Sequence, residues 1–406
     1  MTANESMVDV CIIGAGPVGA TLACALATAG LSVAVIDRSP LPPMENPEFD
    51  GRAYAVAAGS RSFLETAGIW SALPQQPCPI HDIRVSDGRV GQRASAFFLH
   101  FDHCEAERGP FGWMVEARSL RVALNAKMHL LPGLQVHAPA TVSIDRKSNG
   151  AIVRVNDGCQ IACRLVVGAE GRGSPLRVSE GIPVTHITYR QSGIVCAIAH
   201  QIPHNNGALE HFLPGGPFAQ LPMSGIDGEP NISAIVWTER SDIAPRMMAL
   251  DNAEFGREVS RRLGSHLGKI KLVGQRWLYP LGALHAHRYI GTRLSLVGDA
   301  AHGIHPIAGQ GLNLGFRDGI ALSELLTSAV KDGDDLGCAD LLLRYQARRR
   351  PDNLLMLAAT HVLDRLFSTD DPTLRIVRDV GIASVNRLPG LKRVFMRQAM
   401  GRLAIS

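Results

Sequence analysis

Three glycine-rich segments, each following an apolar run, hold most of the residues in this chain whose types and spacing could do chemistry. The first is Gly14-x-Gly16-x-x-Gly19. A turn this short, directly after a strand and opening a helix, needs glycine to close, to let the backbone approach a pyrophosphate and to seat the helix on the strand. The helix N-terminus then offers N–H groups and the positive end of its dipole to phosphate. Asp37, with Arg38 beside it, ends the next strand about 20 residues on, where a carboxylate can accept from a ribose hydroxyl. Dinucleotide binding is expected, and the motif alone does not separate FAD from NAD. The second segment runs from Gly168 to Arg177 and, taken alone, fits a surface turn as well as a site. The third is the densest, GDAAHGIHPIAGQGLNLGFRD from Gly298 to Asp318. Asp299 ends a strand, placed to bind a hydroxyl of a ribityl chain. The small residues of the loop from Pro306 through Gly309, Gln310 and Gly311 let backbone lie flat beside a planar ring. The helix that starts there, with Leu312 and Asn313 in its first turn, points its dipole at that ring. A reduced flavin is anionic around N1 and the C2 carbonyl, so such a dipole stabilises it. His302 and His305 shape the loop, and His305 is the candidate for a direct proton role.

The elements needed to position these groups can be read from hydrophobic pattern. The run Val8 to Ile13 suits a strand buried on both faces of a parallel sheet. Ala20 to Ala29 reads as helix, Gly30 as its C-terminal glycine and Ser32 to Ile36 as the second strand. A Pro-rich loop (41–49) follows, then a turn into a helix over 50–70, short strands to about Phe101 and a helix over 119–128. Strands with a turn at Asn149-Gly150 lead to the second motif. From Thr185 to about Pro280 short apolar runs alternate with Gly and Pro turns. This predicts a largely antiparallel sheet with one helix near Asn252–Leu263. After the third motif the chain reads as helical, broken at Pro351, Pro372 and Pro389.

Composition excludes several classes. The 406 residues are 46% hydrophobic and 19% charged, which describes a folded chain with more than one core. A net charge of +4 gives no basis for nucleic-acid binding. The eight cysteines are scattered through apolar runs and read as reduced, buried thiols. The uncharged stretch from Val10 to Ile36 would span a bilayer in length, but its glycines and Pro17 divide it into strand, turn, helix and strand. The N-terminus lacks the cationic lead of an export signal. A cytoplasmic location is therefore expected. His285, His287, His302 and His305 are not spaced as ligands on one helix face, so no metal is expected.

The three fingerprints, in this order and spacing, resemble those of the flavin-dependent aromatic hydroxylases. The run His305-Pro306-Ile-Ala-Gly309-Gln310-Gly311-Leu312-Asn313-Leu-Gly315 is similar in particular to the ubiquinone-biosynthesis hydroxylases, which carry His-Pro-x-Ala-Gly-Gln-Gly-x-Asn-x-Gly here. Residues 50–70, with Arg52 facing the flavin region, resemble that subfamily too. So do 210–223, 235–239, 348–367 and 389–401, and the resemblance covers nearly the whole chain. It implies an α/β fold: a Rossmann-like FAD-binding domain (1–75, 105–178, 283–335), a β-rich substrate domain (76–104, 179–282) and a helical C-terminal region (336–406). It implies FAD as cofactor, NADPH or NADH as reductant and O₂ as oxidant. In the family's reaction NAD(P)H reduces the flavin, O₂ adds at its C4a, and the hydroperoxide delivers OH to an electron-rich ring. The subfamily's substrate is a polyprenyl phenol, and its members work with other ubiquinone-biosynthesis proteins. Two departures stand out: Glu170 replaces the usual Asp of the second motif, and Ala117 stands where relatives place an amide or Arg, with Arg118 next to it.

The C-terminal segment places Arg375, Arg378, Arg387, Lys392, Arg393, Arg397 and Arg402 among Leu388, Leu391, Val394, Phe395 and Met396. A basic amphipathic segment of this kind lies on an anionic membrane, here the inner membrane, docks a partner, or packs on the flavin domain with a solvated basic face. Two rival functions remain at this level: a hydroxylase of a small soluble aromatic, and a non-catalytic prenyl-lipid carrier on the same scaffold. The carrier would have no use for Asp299 or the ring-facing loop.

Overall fold

The computed structural model describes residues 5–41, 48–92, 98–105, 109–226 and 228–367, with positions 390, 392, 396 and 400. Five strands form a parallel sheet in the order Leu294–Leu296, Gln160–Gly168, Glu5–Ile13, Val33–Ile36 and Leu134–His137. Antiparallel strands extend it at Ile290–Gly291, Gly150–Val155 and Val142–Lys147. Burial on both faces accounts for the unbroken apolar character of the central strands, in which Val10, Cys11, Ile12, Val33, Ala34 and Val35 are fully buried. Register aligns the strand ends. Ile13 lies opposite both Gly168 and Ile36, and Gly168 lies opposite Leu296. All three sequence motifs and Asp37 therefore leave the sheet at one edge, the carboxyl ends of parallel strands, where open α/β sheets bind ligands.

The helix after the first motif spans Pro17–Thr28 and ends at Gly30, whose φ of +93° suits glycine. Its Val18 fits into a hollow made by two glycines. A Cβ on Gly315 would come 2.5 Å from Val18, and one on Gly298 would come 3.3 Å from it. This contact seats the first helix against the helix Gly311–Asp332 and so holds the first and third motifs together.

A second eight-stranded sheet runs from His302–Gly303 through Ile270–Ala286, Val184–His200, Ile232–Arg240, Gly216–Met223, Gly207–Leu213 and Asp82–Asp87 to Phe98–Asp102. Its pairings are antiparallel except that of Gly207–Leu213 with Asp82–Asp87. Two of its strands are 17 residues long and reach from the core of the parallel sheet across this second one. One face is covered by the helix Asn252–Leu263, the span read from sequence, with Phe255 and Val259 buried against Trp237 and Phe218. Full burial of a side chain such as Phe255 is worth about 1.5–3 kcal/mol. The Asp251 side chain caps the helix by accepting from Glu254 N at 2.7 Å, worth about 1 kcal/mol.

The segment read as a turn into a helix contains first a strand, Ala53–Ala57, and then the helix Ala58–Thr66. The strand pairs with Gly112–Glu116, which is distant in sequence, so nothing local announces it. A second correction concerns Pro351. The helix Ala339–Phe367 runs through it. Pro351 and Ala347, whose carbonyl loses its i+4 donor, are both exposed, so water can serve that carbonyl. The cost of about 3 kcal/mol is offset by the buried contacts of Arg349, Asp352 and Asn353 on the opposite side. Pro372, Pro389, most of the Pro-rich loop and the basic C-terminal segment other than Lys392 and Met396 lie outside the described residues.

All eight cysteines are free; Cys11, Cys24, Cys78, Cys163 and Cys196 are buried, whereas Cys104 is exposed and Cys159 and Cys338 are half-buried. Burial pushes the thiols of Cys24 and Cys196 up to about 12, which keeps them protonated and inert.

Candidate functional site

The three glycines of the first motif have different surroundings. Gly14 has a φ of +108°, and a Cβ there would lie 2.4 Å from the Ala169 carbonyl oxygen, so the first motif packs directly on the second. A Cβ on Gly19 would lie 2.1 Å from the Gly14 oxygen, which makes Gly19 the helix-to-strand contact. A Cβ on Gly16 would meet nothing within 4 Å. Gly16 is also the N-cap of its helix, with no side-chain cap on the first-turn N–H groups. Asp37 closes this corner: Oδ2 accepts from Ala15 N at 2.7 Å and Oδ1 from Ser39 N at 2.8 Å. Arg38 is exposed at its side, and its charge acts on Glu170.

The second motif organises itself around Glu170. Its Oε2 accepts from Ser174 Oγ at 2.5 Å and Leu176 N at 3.3 Å. Burial raises the Glu170 carboxyl, and those hydrogen bonds partly oppose the rise. Arg177 donates to the Ala300 carbonyl at 2.7 Å, and Arg172 donates to Asp299 Oδ2 at 3.1 Å. The loop that sequence left undecided thus braces the strand end bearing Asp299, which stays nearly half exposed, at 45%.

The third motif folds as the 3₁₀ turn Gly298–Ala300, a two-residue edge strand at His302–Gly303 and the loop into the helix Gly311–Asp332. Gly309 takes a φ of +60°. Gln310 is the N-cap without a side-chain cap, and a Cβ on Gly311 would meet nothing within 4 Å. Leu312 is half-buried against the flavin-side core, and Pro306 is half-buried at the loop's start. Asn313 is turned toward the protein. It accepts from Ala57 N at 2.8 Å and donates to the Ala55 carbonyl at 2.9 Å and the Gly309 carbonyl at 3.3 Å. It acts as a short piece of strand that ties the loop to Ala53–Ala57.

His305 is fully buried. Its Nδ1 accepts from Ile307 N at 3.4 Å, which leaves Nε2–H to donate to Gln191 Oε1 at 3.3 Å. Tyr189 stands edge-on at 4.8 Å, and Asp364 lies 3.7 Å from Nε2. Burial lowers the His305 pKa, Asp364 works against that shift and His361 adds to it. The imidazole is therefore neutral near pH 7. The Tyr189 hydroxyl reaches the half-buried His361 at 3.2 Å. The four histidines weighed as metal ligands have separate partners: His287 bonds Thr185, His302 bonds Asp318, His305 bonds Gln191, and His285 pairs with His302 only in strand register.

A buried polar network behind the loop was not read from the sequence. Asp318 accepts from Gly298 N at 3.0 Å, His302 Nε2 at 2.5 Å, Arg349 Nε at 2.8 Å and Asn353 Nδ2 at 3.1 Å. Arg349 and Arg317 also pair with Asp352. The available signal was polar residues at 349, 352 and 353 on the same helical stripe as Tyr345, Met356 and Leu357.

Arg52 immediately precedes the strand Ala53–Ala57. It is held by Asp50 at 2.5 Å and sits over the Trp277 ring at 4.2 Å, with Tyr279 also in reach. Tyr279 is 41% exposed, so it forms open wall and not core. Arg118 donates to Glu116 at 2.6 Å and stacks on Phe49.

These residues fit an FAD. Two helix N-termini without side-chain caps open at the same edge of the sheet, their glycines leave room for backbone contact, and Asp37 and Asp299 stand at that edge after strands separated by two others, a span that suits an extended dinucleotide. A surface hollow of about 240 Å³ lined by Met7, Asp145 and Arg164 lies at the opposite ends of these strands and takes no part.

A family model described as an FAD binding domain matches residues 7–360. Ubiquinone hydroxylase UbiL of Rhodospirillum rubrum is 46% identical over 402 residues, covering 99% of this chain and 91% of that protein. The 3-demethoxyubiquinol 3-hydroxylase of Escherichia coli is 31% identical over 395 residues, covering 97% and 98%. In fold, the chain is similar to PqsL of Pseudomonas aeruginosa, solved in complex with 2-aminobenzoylacetate, with a TM-score of 0.75 at 24% identity over 93% of this chain and 100% of that one.

Proposed function

The chain belongs to the FAD-binding domain family, in company with the ubiquinone hydroxylases, and on that premise we propose that it is a monooxygenase that hydroxylates the ring of a polyprenyl phenol on the route to ubiquinone. NAD(P)H and O₂ are its co-substrates. One oxygen atom enters the ring, the other leaves as water, and NAD(P)H supplies the two electrons. The observation that carries this reading is the alignment of two uncapped helix N-termini and two carboxylates along one edge of the parallel sheet.

Bound FAD supplies the redox and oxygen-activating chemistry; this chain's residues supply the rest. Gly14, Gly16 and Gly19 shape the pyrophosphate seat, and Asp37 with Arg38 borders the ribose. Asp299, held by Arg172, would accept from the ribityl chain. Pro306, Gly309, Gln310, Gly311 and Leu312 would line the ring's seat, with Asn313 fixing their backbone. Arg52, steadied by Asp50 and Trp277, faces the ring's edge and the entering substrate. His305 is neutral and buried, suited to hold or pass a proton of the phenol, with Tyr189 and His361 leading outward. The flavin-binding part comprises 1–75, 105–178 and 283–335. Of the strands within 76–104, Asp82–Asp87 and Phe98–Asp102 share a sheet with those of 179–282, which supports a substrate-receiving role for that sheet, whereas Cys78–Ile80 pairs with Gly112–Glu116. Ubiquinone-biosynthesis proteins are expected partners. Membrane contact through the basic C-terminal region belongs to the same reading. Among the described residues, no helix is long and apolar enough to cross a membrane.

The test is anaerobic mixing of the FAD-loaded protein with NAD(P)H, with and without a prenylated phenol, following the flavin band. Faster bleaching with the phenol, then hydroxylated product on admitting O₂, supports the proposal. Bleaching and product with a small soluble phenol alone would replace the substrate class. A colourless protein that binds prenyl lipid would make it a carrier.

A further inference from the structure

The outer face of the helix Ala339–Phe367 segregates its side chains. From Leu343 to Arg365 the exposed positions are Leu343, Arg344, Ala347, Arg348, Pro351, Leu354, Leu355, Ala358, Ala359, Val362 and Arg365. Leu343, Leu355 and Val362 are 51%, 56% and 61% exposed. The two carboxylates of this stretch, Asp352 and Asp364, are both turned inward and buried. What faces solvent is therefore an apolar stripe about 30 Å long at 1.5 Å per residue, with arginines at its ends and no acid between them. Arg348 reaches Glu324 of the neighbouring helix at 2.6 Å. No ion pair ties down Arg344 or Arg365 among the described residues.

We propose that this face docks the enzyme on the surface of an anionic lipid bilayer. The stripe would sink to the acyl boundary and the arginines would meet lipid phosphates. An interfacial helix needs an apolar face and cationic flanks and nothing more. A protein partner would need anchors that fix register, usually aromatic side chains in pockets and directional hydrogen bonds. The exposed positions hold no aromatic residue and no polar side chain except arginine. Arg344 and Arg365 at the two ends, unpaired among the described residues, are complementary to phospholipid headgroups, while Arg348 is paired with Glu324. The same helix presses its inner face on the site: Asp364 approaches His305, and Asp352 pairs with Arg317 of the flavin-side helix. Docking would thus hold the flavin-loop side of the molecule against the membrane. This helix precedes the basic C-terminal segment in sequence. Docking rests on the polyprenyl reading only for its purpose, so the test uses no substrate.

The test is flotation of the FAD-loaded full chain with vesicles of phosphatidylcholine alone or with phosphatidylglycerol added. The wild type is expected to float with the anionic vesicles and to be released by salt. Leu355→Glu with Val362→Glu should weaken partition at least tenfold, whereas Leu130→Glu, at a still more exposed leucine elsewhere, should leave it intact. Because these side chains are exposed, flavin content and melting should stay at wild-type values, which separates lost docking from lost folding. Wild type that ignores every vesicle, or a double variant that floats like wild type, overturns the proposal. So does a wild-type dimer that the double variant dissociates, which would assign the stripe to a second copy.

Discussion

Replacing Asp318 by Asn should unseat the flavin from a distance. The carboxylate is fully buried and accepts four hydrogen bonds, two on each oxygen, from Gly298 N, His302, Arg349 and Asn353. An amide has one accepting oxygen, so its NH₂ must point at one pair of donors whichever way it turns. Either the turn bearing Asp299 loses its hold or the guanidinium of Arg349 does. Breaking a buried ion pair from one side costs about 3–5 kcal/mol. Arg349 keeps Asp352 at 2.8 Å, which places the loss near the lower figure. At about 2–4 °C per kcal/mol for a domain-sized unit, melting should fall by roughly 10 °C. The pH dependence gives an independent check. Burial alone would raise the Asp318 carboxyl, but His302 and Arg349 outweigh it and hold it at about 2, below its ordinary 3.8. A depressed carboxylate adds stability above the unfolded value and loses it as pH falls toward the folded one, here between about pH 4 and pH 2, on the order of 2 kcal/mol. Asp318→Asn should lack that acid slope. The assay is melting of the holoprotein by flavin fluorescence across pH, with flavin content from the absorbance ratio. A variant that melts within about 2 °C of wild type and keeps its FAD would refute the reasoning.

Gly16→Ala and Gly19→Ala should part company. The first puts a methyl where nothing lies within 4 Å and should leave the apoprotein's melting unchanged while FAD affinity, by titration, falls at least tenfold. The second pushes a Cβ to 2.1 Å from the Gly14 oxygen and should destabilise the apoprotein itself, by about 1–3 kcal/mol in denaturant melts. Arg52→Ala should slow phenol-stimulated flavin reduction in stopped flow while melting moves by less than about 1 kcal/mol, because this pair is a quarter exposed. Burial first, then Arg350 and His302, lower His285 to about 4. The unfolded chain therefore takes up a proton near pH 6.5 that the folded one refuses, and stability drops as pH falls from about 6.5 to 4, by about 3 kcal/mol. His285→Gln should flatten that part of a pH-dependent melt; an unchanged slope would assign it to other groups. Asn313→Ala orphans the Ala57 amide and the Ala55 carbonyl, and should cost about 2–4 kcal/mol together with flavin retention at gel filtration.

The residues that meet at the crevice were legible wherever backbone geometry dictates the residue type. Gly14, Gly19 and Gly309 answer to close approach or positive φ, which one sequence displays directly. Asp37 and Asp299 were legible because each ends an apolar strand. The helix Asn252–Leu263 was legible through its capping Asp251 and its C-terminal Gly264. What stayed hidden depends on pairing across long sequence separations. The strand Ala53–Ala57 gains its identity from Gly112–Glu116, and Asp318 gains its role from Arg349 on another helix. Glu170 illustrates the limit of motif comparison. Read as a departure, it proves to be the hub of its loop, its longer side chain reaching both Ser174 and the first turn of the next helix. At Pro351 tertiary packing outranks local propensity, and the helix continues through it.

The two-residue strand His302–Gly303 links events that a modular view of such enzymes would separate. It follows Asp299 closely, precedes the ring-facing loop, and completes the edge of the second sheet on Leu284–His285. A chimera that exchanges residues 179–282 for those of a relative would keep this edge strand but replace the neighbour of its partner, Val184–His200, pairing native backbone with foreign register. A graft extended far enough to carry its own edge strand would take the loop around Pro306 with it. Substrate choice and flavin environment are therefore inherited as one block. Divergence in this scaffold should proceed by changes to side chains on the long strands rather than by exchange of the sheet.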